Sequence, residues 1–266
     1  MTLPNFICVG VQRAGTTWLY ECLKEHPEVY VPEVKELNFF SSHFEKGIEY
    51  YASFFENAST DYKAIGELSP NYYHIKTAID RISSTLPNTK IILILREPVA
   101  RSYSHYQLSV TNQCSGMTFD EAMEQVPIIS TLSMQATFVE HILNSFPRNN
   151  IHLAFYDELQ ATPQSFLKGV FGFLNVNDSF TPSILNNRVN RIIFPRTQEL
   201  LNKLGLSKLV EYIKSGWLGS IIKENYNTGG RKKELNVNNA HKGKFLDDIE
   251  RLEDLLQIEL SHWKNK

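Results

Sequence analysis

Residues 5–17, Asn5-Phe6-Ile7-Cys8-Val9-Gly10-Val11-Gln12-Arg13-Ala14-Gly15-Thr16-Thr17, decide the fold. The stretch opens as a short apolar, β-branched run, NFICVG at 5–10, that ends at glycine and suits a buried strand. A helix is predicted over 16–25, where Trp18, Leu19, Cys22 and Leu23 make one apolar stripe and His26-Pro27 stops it. Between the two, glycines let the backbone turn sharply, and the helix N-terminus offers unpaired N–H donors with a partial positive charge. The segment from Gly10 to Thr17 therefore reads as an anion cradle. Taken alone it is equally a glycine turn that holds nothing.

Outward from this unit the same alternation continues. A weaker strand is predicted over 64–68 and a helix over 75–86, with Ile75, Ile79, Ile82 and Leu86 at helical spacing. KIILIL at 90–95 is a continuous apolar run, as expected of a central parallel strand covered on both faces. A helix opened by Pro98 runs to about Val110; another is expected over 132–146, a strand over 150–155 and a helix over 163–174. Residues 175–195 read as a long surface connection, 197–214 as helical, and Asn227-Thr228-Gly229-Gly230 as a loop. Phe245, Ile249, Leu252, Leu256 and Leu260 define a C-terminal amphipathic helix. The expected fold is α/β, a P-loop-type three-layer α/β/α arrangement around a central, mainly parallel sheet of about five strands.

The cradle has the GxxxxG frame and hydroxyl ending of a Walker A loop, but Thr16 stands where that loop has its lysine. KIILIL ends in Arg96 and not in an aspartate that would hold Mg²⁺. A triphosphate with its metal is poorly served; a ligand with fewer charges is better served. Arg96 sits at a strand's carboxyl end, where parallel sheets bind ligands, and Ser104 follows eight residues later on the next helix. An Arg and a Ser converging there suit a terminal phosphate.

The pairing of GVQRAGTTWLYECLKEHP with LREPVARSYSHY resembles the two nucleotide-binding signatures of sulfotransferases that use 3′-phosphoadenosine-5′-phosphosulfate (PAPS). Glu36-Leu37-Asn38-Phe39-Phe40 and Gly66-Glu67-Leu68-Ser69-Pro70-Asn71-Tyr72 fall between them in the family's order. IHLAFYDEL, Pro163 and FLKGVFGFLNV resemble the family's fourth strand and succeeding helix. The similarity covers most of 5–175 and is nearest the heparan-sulfate-type branch and its bacterial relatives. It implies one sulfotransferase domain over 1–266, with a core at 5–175 and a region at 176–266 completing the nucleotide and acceptor sites. It further implies that Arg13, Ala14, Gly15, Thr16 and Thr17 wrap the 5′-phosphosulfate, that Arg96 and Ser104 bind the 3′-phosphate, and that Arg231 belongs to a loop closing over the nucleotide.

Sulfuryl transfer rests on positioning and electrostatics, and a sulfuryl group carries less charge than a phosphoryl group, so cationic side chains are expected to suffice and no metal is expected. Arg13 stands where the family usually has lysine and is the candidate to offset charge on the leaving phosphate oxygen. The resemblance assigns Glu36 as the catalytic base. His43, His74 and His105 are rivals, and Lys35 is a further cation beside Glu36. Leu68 stands where relatives acting on glycosaminoglycans commonly carry lysine. The acceptor is expected to be a saccharide hydroxyl or amine, with a small-molecule alcohol or phenol as the alternative. A P-loop kinase or a non-catalytic nucleotide-binding protein are the readings from other classes.

Composition sets the remaining bounds. A formal charge of −2 argues against whole-surface attraction to nucleic acid or anionic membrane. Yet 188–244 holds 12 Lys and Arg against 4 Asp and Glu, a basic stretch suited to an anionic ligand or simply to solvent. Cys8, Cys22 and Cys114 are scattered and odd in number, which points to a reducing compartment. No apolar run approaches a bilayer span, and the N-terminus lacks signal-like character, so a cytoplasmic location is expected.

Overall fold

The computed structural model describes residues 1–185 and 239–264. Five strands, β1 (Phe6–Gly10), β2 (Val29–Tyr30), β3 (Ala64–Leu68), β4 (Lys90–Leu95) and β5 (Ile151–Phe155), form one sheet in the order β2-β3-β1-β4-β5. Every pairing is parallel. The most hydrophobic runs take the centre: Phe6 to Val9 and Ile91 to Leu95 are completely buried. That is the expected outcome for strands covered on both faces.

Helix α1 (Thr16–Glu25) follows β1, and α2 (Gly47–Ser53) and α3 (Lys76–Thr85) flank β3. After β4 come α4 (Pro98–Ser109), α5 (Phe119–Gln125), α6 (Pro127–Thr131) and α7 (Ala136–Ser145). After β5 come α8 (Tyr156–Ala161) and α9 (Pro163–Leu174). The chain closes with α10 (Asn239–Gly243), α11 (Leu246–Leu256) and α12 (Ser261–Lys264). Local chemistry explains several starts. Glu97 caps α4 by accepting from the N–H groups of Val99 and Ala100, with Pro98 inside the first turn. Thr118 and Glu121 form a reciprocal capping box on α5.

The architecture agrees with the expected fold, and the differences have identifiable causes. The fifth strand is β2, whose two residues are too short to leave a periodic signal. Helix α7 begins at Ala136 because the Asp248 carboxylate, from α11, accepts from the N–H groups of Gln135 and Ala136. The C-terminal pattern is divided: Gln257 turns left-handed at φ 54° and the Glu253 side chain accepts from the Leu260 N–H, so α11 stops although Leu260 stays buried. The helix expected at 197–214, the loop at 227–230 and Arg231 lie outside the described residues. Among the described residues no helix is long and apolar enough to cross a membrane.

Gly66 is a sharp test of the sheet's packing. It pairs with Phe6, and a Cβ placed on it would lie 2.4 Å from the Phe6 carbonyl oxygen and 2.5 Å from its ring. Backbone cannot yield there, so Gly66→Ala is expected to lower stability by about 1–3 kcal/mol, read as a lower midpoint in urea. An unchanged midpoint would contradict this packing.

Candidate active site

The adjacent strands β3, β1 and β4 end at Leu68, Gly10 and Leu95, and the chain leaving each carries the residues of interest. The carboxyl ends of parallel strands are where such sheets bind ligands. Val11 ties the loop after β1 to β4, its N–H bonding the Ile94 carbonyl at 2.9 Å. Arg13 adopts φ 72° and Gly15 φ 84°, so the loop makes two left-handed turns before α1. Glycine suits position 15, because a side chain is strained at φ 84° and a Cβ there would stand 2.8 Å from a Leu159 methyl. Ala14 and Thr16 are buried and Thr17 is half-buried, at the start of the helix whose N–H groups the loop leaves open.

Arg13, Arg96 and Ser104 come together as the sequence implied. Arg13 Nε donates to Ser104 Oγ at 3.1 Å, and Arg96 Nη1 donates to the Arg13 carbonyl oxygen. The Arg96 guanidinium lies over the Tyr156 ring, 4.2 Å from its centroid. Gln135 brackets the Arg96 backbone: its Nε2 donates to the Arg96 carbonyl at 2.7 Å and its Oε1 accepts from the Arg96 N–H at 3.3 Å.

Sequence reading missed Arg101 and Gln135. Arg101 is fully buried, donating to Ser133 Oγ at 2.8 Å and to His105 Nδ1 at 3.2 Å. The available signal was helical spacing, since Arg101, Ser104 and His105 share one face of α4. Gln135 carried no signal, because its partner Arg96 is 39 residues away.

Burial lowers the pKa of Arg13, Arg96 and Arg101, and the three cations repel one another in the same direction. Arginine nevertheless stays charged. The buried Nε atoms of Arg96 and Arg101 have no hydrogen-bond partner, and the Glu97 and Asp157 carboxylates act on Arg96 in the opposite sense to burial. Concentrated, desolvated positive charge of this kind is suited to a bound polyanion.

The histidines divide. His74 and His105 are both pushed down to about 4, first by burial and then by the Arg101 charge. Both are therefore neutral at pH 7. Because an unfolded histidine protonates near 6.5, the unfolded chain binds more protons between pH 6.5 and 4, and these groups cost stability as pH falls through that window. The thermal midpoint is expected to drop less between pH 7 and 5 in His74→Asn than in the parent; equal drops would contradict it. His43 is half-buried in the π-helical turn Phe39–His43, edge-on to Tyr50.

Glu36 is exposed, in a left-handed conformation at φ 62°, and pairs with Lys35. Lys35 lies close enough to the end of β1 to act electrostatically on Cys8. The Asn38 N–H bonds Ser69 Oγ at 3.2 Å, fixing this segment to the end of β3, the strand beside β1. Leu68 is buried and presents no group to this surface.

The family described as Sulfotransferase domain matches residues 3–208. A membrane-associated sulfotransferase of Dictyostelium discoideum is 41% identical over 112 residues, covering 41% of this chain and 24% of that protein. A bifunctional heparan sulfate N-deacetylase/N-sulfotransferase of Mus musculus is 30% identical over 204 residues, covering 68% of this chain and 23% of that protein. A heparan sulfate glucosamine 3-O-sulfotransferase of Homo sapiens is 28% identical over 188 residues, covering 67% of this chain and 48% of that protein. The matched region thus spans less than half the length of each of these relatives. A crystal structure of a sulfotransferase from Alicyclobacillus acidocaldarius shares the fold with a TM-score of 0.70 at 22% identity, covering 99% of this chain and 100% of that one.

Proposed function

Because the chain belongs to the sulfotransferase domain family, we propose that it moves a sulfuryl group from PAPS to a hydroxyl or amine of a saccharide. The observation that carries the donor assignment is the cluster of Arg13, Arg96 and Arg101 at the strand ends, all three desolvated by burial. Bound PAPS supplies the sulfuryl group and leaves as adenosine 3′,5′-bisphosphate. Arg13 with the loop Ala14, Gly15, Thr16 and Thr17 holds the 5′-phosphosulfate, and Arg96 with Ser104 holds the 3′-phosphate. Arg13 offsets the negative charge left on the departing phosphate oxygen. Glu36 takes the proton from the acceptor, and neutral His74 and His105, facing Arg101, are poorer bases for that task.

The saccharide acceptor is supported by relatives whose names describe N- and 3-O-sulfation of heparan sulfate. Leu68, apolar and buried where glycosaminoglycan-acting relatives commonly carry lysine, favours a small-molecule alcohol or phenol as the second reading. Cationic side chains supply the charge at the donor site, so transfer is assigned without a metal. Three free, buried cysteines support a reducing compartment such as the cytoplasm.

The test is transfer of ³⁵S-labelled sulfuryl from PAPS to a panel of saccharides, alcohols and phenols, with EDTA present. Labelled saccharide is the expected product. Tight binding of adenosine 3′,5′-bisphosphate with transfer to no acceptor would overturn the enzymatic reading, and label on phenols alone would overturn the acceptor.

A further inference from the structure

Glu67 is the last residue but one of β3, fully inside the protein, and a carboxylate in that position demands an explanation. Three hydroxyls converge on it. Tyr51 donates to its Oε1 at 2.8 Å, Tyr72 to the same oxygen at 3.1 Å, and Ser69 to Oε2 at 2.6 Å. The Leu37 N–H is directed at the same carboxylate.

Two of these hydroxyls are bridges. Ser69 Oγ, while donating to Glu67, accepts from the Asn38 N–H at 3.2 Å. Tyr72 Oη, while donating to Glu67, accepts from the Phe40 N–H at 3.3 Å. The carboxylate thus reaches two of the four amides that follow Glu36 through hydrogen-bonded bridges, Asn38 by way of Ser69 and Phe40 by way of Tyr72, and the Leu37 N–H acts on it as well. Side-chain packing reinforces the same attachment, with Phe39 stacked on Tyr51 at 4.5 Å and Phe40 edge-on to Tyr72 at 5.9 Å. Arg81 secures the far end by donating to the Phe40 carbonyl at 2.7 Å.

This matters because the segment is unfavourable by itself. Glu36 and Asn38 both take left-handed conformations, at φ 62° and 51°, which residues other than glycine adopt rarely. A bend of that kind persists when its surroundings over-determine it. Burial raises the Glu67 pKa, and the bonds from Ser69, Tyr51, Tyr72 and the Leu37 N–H act the other way by favouring the charged form, whose oxygens offer acceptors only.

We propose that Glu67 is a positioning residue for sulfuryl transfer, a buried acceptor hub that holds the 36–40 bend and thereby sets where the Glu36 carboxylate meets the acceptor. The proposal rests on the reading of Glu36 as the base. Glu67 itself touches neither donor nor acceptor.

The conservative variant Glu67→Gln retains the volume but turns one acceptor oxygen into an NH₂ donor facing hydroxyls that already donate. A displacement of the base by about 1 Å costs on the order of 10²-fold, so kcat is expected to fall about 10- to 100-fold. The affinity for adenosine 3′,5′-bisphosphate, measured in parallel, is expected to stay within about twofold, which shows that the protein is folded and its donor site intact. In a Glu36→Gln background the further change Glu67→Gln is expected to have no added effect, because a positioner has nothing left to position. Should Glu67→Gln bind no nucleotide, Tyr72→Phe removes the bridge to Phe40 alone and is expected to lower kcat severalfold at unchanged nucleotide affinity. Parental kcat in the variant that binds nucleotide overturns the proposal. So does a Glu67→Gln effect of full size in the Glu36→Gln background. Parental activity of Glu36→Gln by itself is a different result: it removes the base, and the positioning role with it.

Discussion

Glu36→Gln is expected to lower kcat for sulfuryl transfer by about 10²- to 10⁴-fold, the usual contribution of a positioned general base. Gln preserves the side chain's length and removes its capacity to take a proton. It also releases Lys35, whose ammonium pairs with the Glu36 carboxylate. Glu36 is exposed and belongs to no helix or strand, so the fold is expected to tolerate the change. The measurement is steady-state transfer at saturating PAPS, with nucleotide affinity taken in parallel. A loss in kcat at unchanged affinity is the expected pattern, since the base acts in the transition state and not on the donor. A rate within threefold of the parent would move the role elsewhere. His43 then becomes the first candidate, because the surroundings of His74 and His105 favour neutral imidazoles of low basicity.

Arg96→Ala carries the second large effect and acts on binding. Removing one partner of a desolvated, hydrogen-bonded charge pair costs about 2–5 kcal/mol, so affinity for adenosine 3′,5′-bisphosphate is expected to fall by about 30-fold or more. AMP, which lacks the 3′-phosphate, is expected to lose much less. Some loss for AMP is anticipated, because Arg96 also donates to the carbonyl of Arg13 and so supports the cradle. Arg96→Lys separates the two contributions. Lysine keeps a charge but lacks the planar fork that bonds the Arg13 carbonyl while lying over Tyr156. An equal loss for both nucleotides in Arg96→Ala would assign Arg96 to the loop and not to the 3′-phosphate.

The sheet was legible in the sequence wherever burial on both faces produced an unbroken apolar run, as at Phe6 to Val9 and Ile91 to Leu95. The cradle was legible for a related reason: a backbone at φ 84° favours glycine at 15, and glycine leaves a visible mark. Helices declared by proline or by apolar spacing were readable as well, with α9 found at 163–174. What escaped was whatever depends on partners far away in the chain. The Asp248 carboxylate that starts α7 is 112 residues from Ala136. Glu67 reads as one polar residue in a weak strand, because Tyr51 and Tyr72 become its partners only after folding. Arg101 looks like an ordinary helix-surface cation until α4 packs against Ser133. The resemblance named Arg13, Arg96 and Ser104, and the coordinates bring these three into one hydrogen-bonded group. Glu36 stands apart from that group in the segment that Asn38 ties to Ser69 beyond β3, and its role rests on the family resemblance and on the bend that presents it.

Calorimetric titration of the protein with adenosine 3′,5′-bisphosphate and with AMP tests the central claim most directly, namely that the arginine cluster reads a nucleotide phosphorylated at both positions. The bisphosphate is expected to bind at least about 30-fold more tightly, the equivalent of one well-paired, desolvated phosphate contact. Equal affinity for the two nucleotides would contradict the account.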